Sequence, residues 1–572
     1  MKPGIRALCV AAVMVCGACG TDAVYINGNI ITMGEGAKLA QAFLVEGNRF
    51  SKVGTNEEVL RAAKPGTPRI DLRGRTVVPG LNDSHTHPIG AAMAEQEGEV
   101  PVMDSITEVQ AYVKRIAGTT PASKLIFVPK VYSTRLKERR YPTRWDLDAV
   151  SGDHEAMTDN SYASVLNSKL LKRLGIDRNT PQPGNGKIIK DEKGEPTGLI
   201  LGAQQLLGPL RASRAFTYAE RMAGLRKMQA AYNRVGITST GDRGQGPEGF
   251  RLYQDLKQRG EMTVRTAVTY MVSGGGKPED LEKRIEAIPF VTGWGDEWLR
   301  VGPLKTVVDG GILIGTAYLR EPYGMNTQVY GYVDPDYRGV LNVPRENLVA
   351  MARTANRLGW QMTSHTTGGG AIDLLLDAYE EANKEKSILG RRFTVTHGNF
   401  PNGDAIAKAA RLGVVFDCQP QWHHFDGAAL GPVFGAERTK WFLPLRAMID
   451  AGVVVAGGSD HMIKYDPRRS INAYHPFYAM WMTITRKTSD GGVLGPEQRI
   501  TREEALRLWT VNGAYLTFEE KVKGSIETGK LADFAVIDRD YLTVPEDQIR
   551  NIEPVRTVVD GKVVHDTGVL GG

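Results

Sequence analysis

A chain of 572 residues is long enough for a large core and more than one domain. An apolar fraction of 41% and a charged fraction of 24% are ordinary for a soluble globular protein. A net charge of +6 over this length is mild, and no basic run is interleaved with aromatics, which argues against a nucleic-acid partner.

The first 22 residues read as a leader, not as part of the fold. Lys2 and Arg6 precede an apolar run over 7–15, followed by Gly17-Ala18-Cys19-Gly20. That is the pattern of a secretory signal, and the run is too short to span a bilayer permanently. Cys16-Gly17-Ala18-Cys19 also resembles a bacterial lipobox, with Cys16 where leucine is usual. The expected location is therefore the periplasm or cell envelope, with membrane contact only through a lipid anchor at Cys19. Three of the four cysteines fall in this leader, so a disulfide framework is excluded and Cys418 is expected to be a buried structural thiol.

Next along the chain, 23–32 is a strand, an Asn-Gly turn and a second strand, and 42–53 repeats the pattern around Glu46-Gly47-Asn48. The far end carries a strand over 532–538 and a hairpin around Asp560-Gly561. Segments so distant and so alike predict one small β-sandwich assembled from 23–79 and 515–572. Between them, apolar β-runs at 236–239, 264–269, 304–308, 361–364, 393–396, 414–416 and 453–456 alternate with helical stretches such as 218–234 and 371–386. This alternation predicts parallel βα units closed into a (β/α)8 barrel over 80–514. The turn-rich, charged stretch from about 95 to 210 interrupts the rhythm and reads as an insertion over the barrel mouth. Gly368 to Gly370 read as a tight βα turn, since no P-loop pattern surrounds them.

The polar residues that end these runs carry the chemistry. In Val78-Pro79-Gly80-Leu81-Asn82-Asp83-Ser84-His85-Thr86-His87, an extended backbone projects His85 and His87 from one face. Lys305 lies inside an apolar strand, His365 and His397 directly follow two others, and Asp460 closes Val453 to Ser459. In a barrel, residues at the C-terminal ends of strands converge on one mouth. Imidazoles and carboxylates there suit a divalent ion such as Zn2+, which lowers the pKa of a bound water to about 7. Asp460 is placed to take that water's proton and pass it to a leaving group. A lysine in a barrel core is costly as an ammonium. Carboxylation by carbon dioxide would make it a carbamate able to bridge two metal ions, whereas an ion pair with Asp309 is the structural alternative.

The order His-x-His, Lys, His, His, Asp over strands one, four, five, six and eight resembles the amidohydrolase superfamily. The finer motifs V-V-P-G-L-N-D-S-H-T-H, L-K-T-V-V-D-G-G, S-H-T-T-G-G-G-A-I-D, T-H-G-N and G-G-S-D resemble its amidohydrolase 3 branch, which includes N-substituted formamide deformylases. The resemblance covers nearly the whole mature chain. It implies a metal centre of His85, His87, His365, His397 and Asp460, with Lys305 as the carboxylated bridge. Two departures stand out. His365-Thr366-Thr367-Gly368 lacks the aspartate of the family's H-A-x-G-D, and Tyr162 falls near the histidine of the insertion's D-G-H. Substrate contacts are expected from Tyr162 and Asn167 in the insertion, and from Trp422, His423, His424 and His461 at the mouth; His154, His475 and His565 are read as structural. The expectation is a hydrolase of a carbon–nitrogen bond, amide or formamide, on a small molecule with an apolar or aromatic arm. Esters, lactones and carbamates are open to the same site, and a non-catalytic cell-envelope binding protein is the alternative of another class. Zinc against manganese or iron is left open, as is self-association into a homodimer.

Overall fold

The computed structural model describes residues 22–571 apart from 37, 97, 185, 213–215, 326–327 and 332–333, so residues 1–21, on which the expected leader and lipobox fall, lie outside the described residues. Eight parallel strands form one sheet: β1 (Leu81–Thr86), β2 (Ile237–Gln245), β3 (Arg265–Met271), β4 (Leu299–Val307), β5 (Met362–Thr366), β6 (Thr394–His397), β7 (Val415–Cys418) and β8 (Val455–Gly457). The strands lie in sequence order, and the sheet closes on itself. Asp460 donates its N–H to the His85 carbonyl at 2.7 Å, and His87 donates to the His461 carbonyl at 2.9 Å. The result is a (β/α)8 barrel, and each apolar run read from the sequence is one of its strands. β2 and β4 extend beyond those runs, to nine residues each. The extra residues of β2 include Asp242 and Arg243, which are polar yet buried, so hydropathy alone stops short of them.

The surrounding helices follow ordinary local rules. Tyr218–Arg234 starts at a capping box in which Thr217 accepts from the Glu220 N–H and Glu220 caps the Thr217 N–H. Its inner face buries Met222, Leu225, Met228 and Tyr232. Among the described residues no helix is long and apolar enough to cross a membrane.

Both chain ends contribute to a two-sheet sandwich. A four-stranded sheet is built from N-terminal strands, and a six-stranded sheet pairs Thr76–Pro79 antiparallel with Phe534–Ile537. Tyr25, Phe43 and Phe50 from one end pack on Phe534 from the other; the Tyr25 and Phe43 rings stack at 4.7 Å and Phe43 meets Phe534 edge-on at 4.9 Å. The chain passes from sandwich to barrel through Gly80, where a Cβ would lie 2.2 Å from Thr238 Oγ1. Only glycine fits this crossing.

The insertion after β1 carries a parallel pair, Ile126–Pro129 with Ala156–Asp159, and a three-stranded antiparallel sheet. It is fastened to the barrel by Arg135, whose guanidinium bonds both oxygens of buried Asp426 at 2.9 and 2.8 Å. The sandwich is fastened by Arg265 at the start of β3. Its guanidinium donates to Asp533 at 2.7 and 3.1 Å and to Asp560 at 2.9 Å, with the arginine side chain 1% exposed. Removing one partner of such a buried network strands the remaining charge. Arg265→Met is therefore expected to lower unfolding stability by about 3–5 kcal/mol in urea melts. A loss below about 1 kcal/mol, the range of exposed pairs, would show that the network does not couple sandwich to barrel.

Candidate metal centre

His85, His87, Lys305, His365, His397 and Asp460 all line one cavity of about 590 Å3 at the C-terminal ends of the strands. β1 delivers His85 at its end and His87 just past it, β4 delivers Lys305, and β5 and β6 deliver His365 and His397. Asp460 follows β8 through Gly457 and Gly458. A Cβ on Gly458 would come within 2.7 Å of the His85 Cβ, so the G-G-S-D motif lets β8 approach β1. His397 and Asp460 hold left-handed backbone, with φ of 73° and 53°, a costly conformation for non-glycine residues that clusters at functional sites.

Asp460 Oδ1 lies 3.4 Å from His85 Nε2 and 3.2 Å from His87 Nε2. One ligand atom from each of the three can be chosen within 4.8 Å of the others. His85 Nε2 is buried and has no hydrogen-bond partner, and such an orphan nitrogen fits a ligand to a cation. Its other nitrogen, Nδ1, faces Asp417 Oδ2 at 3.3 Å, the carboxylate–histidine arrangement that orients a metal-binding imidazole.

The second half of the cluster makes the same case through its tautomers, which follow from the hydrogen-bond partners. His365 Nε2 lies 3.1 Å from the Gly310 carbonyl, so that nitrogen carries the proton. Gln419 Nε2 donates to the carbonyl and carboxylate of Asp417, both at 3.2 Å. This turns Gln419 Oε1 toward His397 Nδ1 at 2.6 Å and places the proton there. The remaining nitrogens, His365 Nδ1 and His397 Nε2, bear lone pairs and stand 2.8 Å apart. Facing lone pairs at that distance need a cation between them. A proton is disfavoured, because burial pushes His365 down to about 3, with the nearby Lys305 ammonium adding to the shift. Burial, then His365 and Lys305, holds His397 well below the usual imidazole range. A divalent metal ion fits the donor set.

Around these donors lies a charged layer that the sequence did not reveal. Arg243 reaches Asp417 Oδ2 at 3.2 Å and the Ser84 carbonyl at 2.8 Å, and Ser84 Oγ donates to Asp417 at 2.6 Å. Asn472 Nδ2 donates to the Asp460 carbonyl at 2.7 Å. Asp417, inside an apolar strand, carried a readable signal; Arg243, Gln419 and Asn472 carried none. Lys305 donates to the Arg243 carbonyl at 2.9 Å, and burial followed by the Arg243 charge lowers it to about 8 despite Asp460, Asp417 and Asp242. No hydrogen bond joins it to Asp309. That carboxylate instead accepts from the backbone N–H groups of Tyr318, Thr367 and Gly368 and anchors the turn into Gly369–Glu385.

Of the expected substrate contacts, Tyr162 and Trp422 line the cavity. The Trp422 ring stacks on His397 at 4.6 Å, and Tyr162 lies 5.2 Å from the His365 ring. The other four are corrected by the structure, because none of them lines the cavity. Asn167 is a buried N-cap, accepting from the Leu170 N–H and donating to Ser151 and the His154 carbonyl. His423 bonds the Leu494 carbonyl; His424 bonds the Lys487 carbonyl and the Tyr478 hydroxyl. His461 is spent on the Tyr232 hydroxyl and the carbonyls of Ile463 and Lys464. These imidazoles brace the mouth from behind. Cys418 is a buried free thiol.

Four imidazoles and the Asp460 carboxylate gathered at the mouth of a (β/α)8 barrel are the arrangement expected of a metal-dependent hydrolase of the barrel type. The model of the amidohydrolase family (Amidohydro_3) matches residues 69–565, most of the chain. This protein belongs to the amidohydrolase family. It is 30% identical over 560 residues to the N-substituted formamide deformylase of Arthrobacter pascens, covering 94% of this chain and 97% of that one. Among solved structures, an uncharacterized metal-dependent hydrolase from Pyrococcus horikoshii matches with a TM-score of 0.68 at 22% identity, over 92% of this chain and 99% of that one. The atrazine chlorohydrolase of Arthrobacter aurescens TC1, solved in complex with zinc, matches with a TM-score of 0.53 at 15% identity, over 95% of both chains.

Because Gln419 sets the His397 tautomer, Gln419→Leu is expected to weaken divalent metal binding by about 10–100-fold, the usual cost of losing a partner that orients a ligand. Competitive zinc titration measures it. Unchanged affinity would contradict the tautomer assignment.

Proposed function

We propose that this enzyme hydrolyses a carbon–nitrogen bond of the amide or formamide type in a small molecule with an apolar or aromatic amine arm. The observation that carries the reading is the position of Asp460, whose Oδ1 is shared between His85 and His87 while Asn472 holds its backbone. His85, His87, His365, His397 and Asp460 would hold the metal, which supplies Lewis-acid activation of water and of the substrate carbonyl. Asp460 takes the proton of the attacking water and delivers it to the departing nitrogen, which leaves as an amine. Met93, Phe216, Trp422, Met462 and Ile463 line the same cavity as Asp460 and would exclude water from the apolar arm. The choice of a carbon–nitrogen bond is supported by the likeness to the formamide deformylase over nearly the whole of both chains.

Lys305 is proposed to act as a carbamate. An amine lowered to about 8 is partly neutral at neutral pH and nucleophilic. Its nitrogen adds to the carbon of carbon dioxide and releases a proton, and the resulting anion replaces a buried cation among the ligands. Carbon-13 NMR of enzyme equilibrated with labelled bicarbonate is expected to show a carbamate signal that Lys305→Met abolishes, together with loss of one of two bound metal ions. A single metal ion and no carbamate in the wild type would retire this role.

Asp460→Asn is expected to lower kcat by about 100–10,000-fold on amides, the range for a general acid–base, in protein that still contains metal. Full activity in metal-loaded Asp460→Asn would sink the mechanism. A panel of amides, esters and lactones tests the bond cleaved: turnover of esters or lactones with none of the amides contradicts the carbon–nitrogen reading, and no turnover of any of them contradicts hydrolysis.

A further inference from the structure

A second cavity of about 390 Å3 adjoins the first. The two share Tyr162, Met271 and Val307 as common wall. The remaining wall is mostly small and apolar, with Val272, Gly274, Val340 and Val343, and it includes Gly310. The Gly310 carbonyl is the partner of His365 Nε2, so the wall of this chamber is one hydrogen bond from the metal cluster. Its size falls within the range of ligand-binding pockets, roughly 300–1,000 Å3. Nothing in the hydrolytic step described above uses it.

The barrel decides which end of a substrate would enter. The chamber is built from the end of β3 and the residues after it, and from Thr306 and Val307 at the end of β4. Asp460 follows β8, and in a closed ring of eight strands β4 and β8 face each other across the mouth. A leaving nitrogen that collects its proton from Asp460 must lie on the β8 side, beside Met462 and Ile463. The other substituent of the same carbonyl then points across the mouth, toward β3 and β4. In a formamide that substituent is a hydrogen atom, which would leave the chamber without a use.

We propose that the second chamber is an acyl subsite and that the enzyme takes N-substituted amides of alkanoic or arylalkanoic acids, not formamides alone. The inference rests on the role assigned above to Asp460 at the leaving group. Tyr162, set between the chambers and against His365, separates the acyl arm from the amine arm and is a specificity residue.

The test is kcat/KM for an acyl series on one amine, N-benzylformamide, N-benzylacetamide and N-benzylbutanamide, with the matching benzyl esters in parallel. It uses the metal-loaded wild type and two variants that fill the chamber, Ser273→Trp at an exposed position and Val340→Trp at a half-buried one. The wild type is expected to cleave the butanamide at least as well as the formamide. Each variant that folds, judged by circular dichroism, is expected to lose about tenfold or more on the butanoyl substrate, the scale of a lost hydrocarbon contact, while keeping its rate on the formyl one. A wild type confined to formyl substrates overturns the acyl subsite and leaves the carbon–nitrogen reading standing, as does equal loss on both substrates in both variants. Cleavage of the esters alone overturns the carbon–nitrogen reading, and the ester acyl series then still reports on the chamber.

Discussion

Two imidazole nitrogens bearing lone pairs, held 2.8 Å apart in a buried site, repel each other unless a cation lies between them. The barrel is arranged to keep them there. His365 is tied to a backbone carbonyl, His397 to a glutamine that is itself tied to Asp417, and the Trp422 ring covers the far face of His397 at 4.6 Å. Each tie fixes a proton on the nitrogen that points away from the centre. Burial removes the alternative of protonating the nitrogens that point inward. The ends of β5 and β6 therefore present two inward lone pairs that a cation can accept and that burial keeps from being protonated.

Asp417 organises the other half. Its carboxylate meets His85 Nδ1 and the Arg243 guanidinium and accepts from Ser84 and Gln419. One buried carboxylate thus reaches ligands on β1 directly and on β6 through Gln419. Arg243 offsets its charge, and that same guanidinium helps depress Lys305. The lysine is pressed toward its neutral, nucleophilic form by a neighbour whose own role is to balance Asp417. Ligand geometry and lysine chemistry are two consequences of one charge network.

Much of this could be read from the chain. That His85, His87, Lys305, His365, His397 and Asp460 would meet in one cavity was legible because each ends or interrupts an apolar strand, and strand ends share one mouth in a barrel. The sandwich was legible from Asn27-Gly28 and Asp560-Gly561, turns flanked by β-formers at both ends. The layer behind the ligands was not. Gln419 and Asn472 are ordinary polar residues until the fold turns them onto His397 and Asp460. Asn167, His423, His424 and His461 failed for a related reason. Proximity in sequence to the mouth does not say which way a side chain points. Their partners, among them the Leu494 and Lys487 carbonyls and the Tyr232 hydroxyl, come from distant segments. β2 was read too short because the residues that finish it serve the charge network and not the apolar core.

The central claim is that these imidazoles and carboxylates bind a metal ion together, and X-ray absorption at the edge of the bound metal tests it most directly. The account predicts a mixed shell of imidazole nitrogen and carboxylate oxygen, with the multiple scattering that histidine rings produce, reduced when His365 and His397 are replaced. A shell of oxygen alone, or an unchanged spectrum in that double variant, would contradict it.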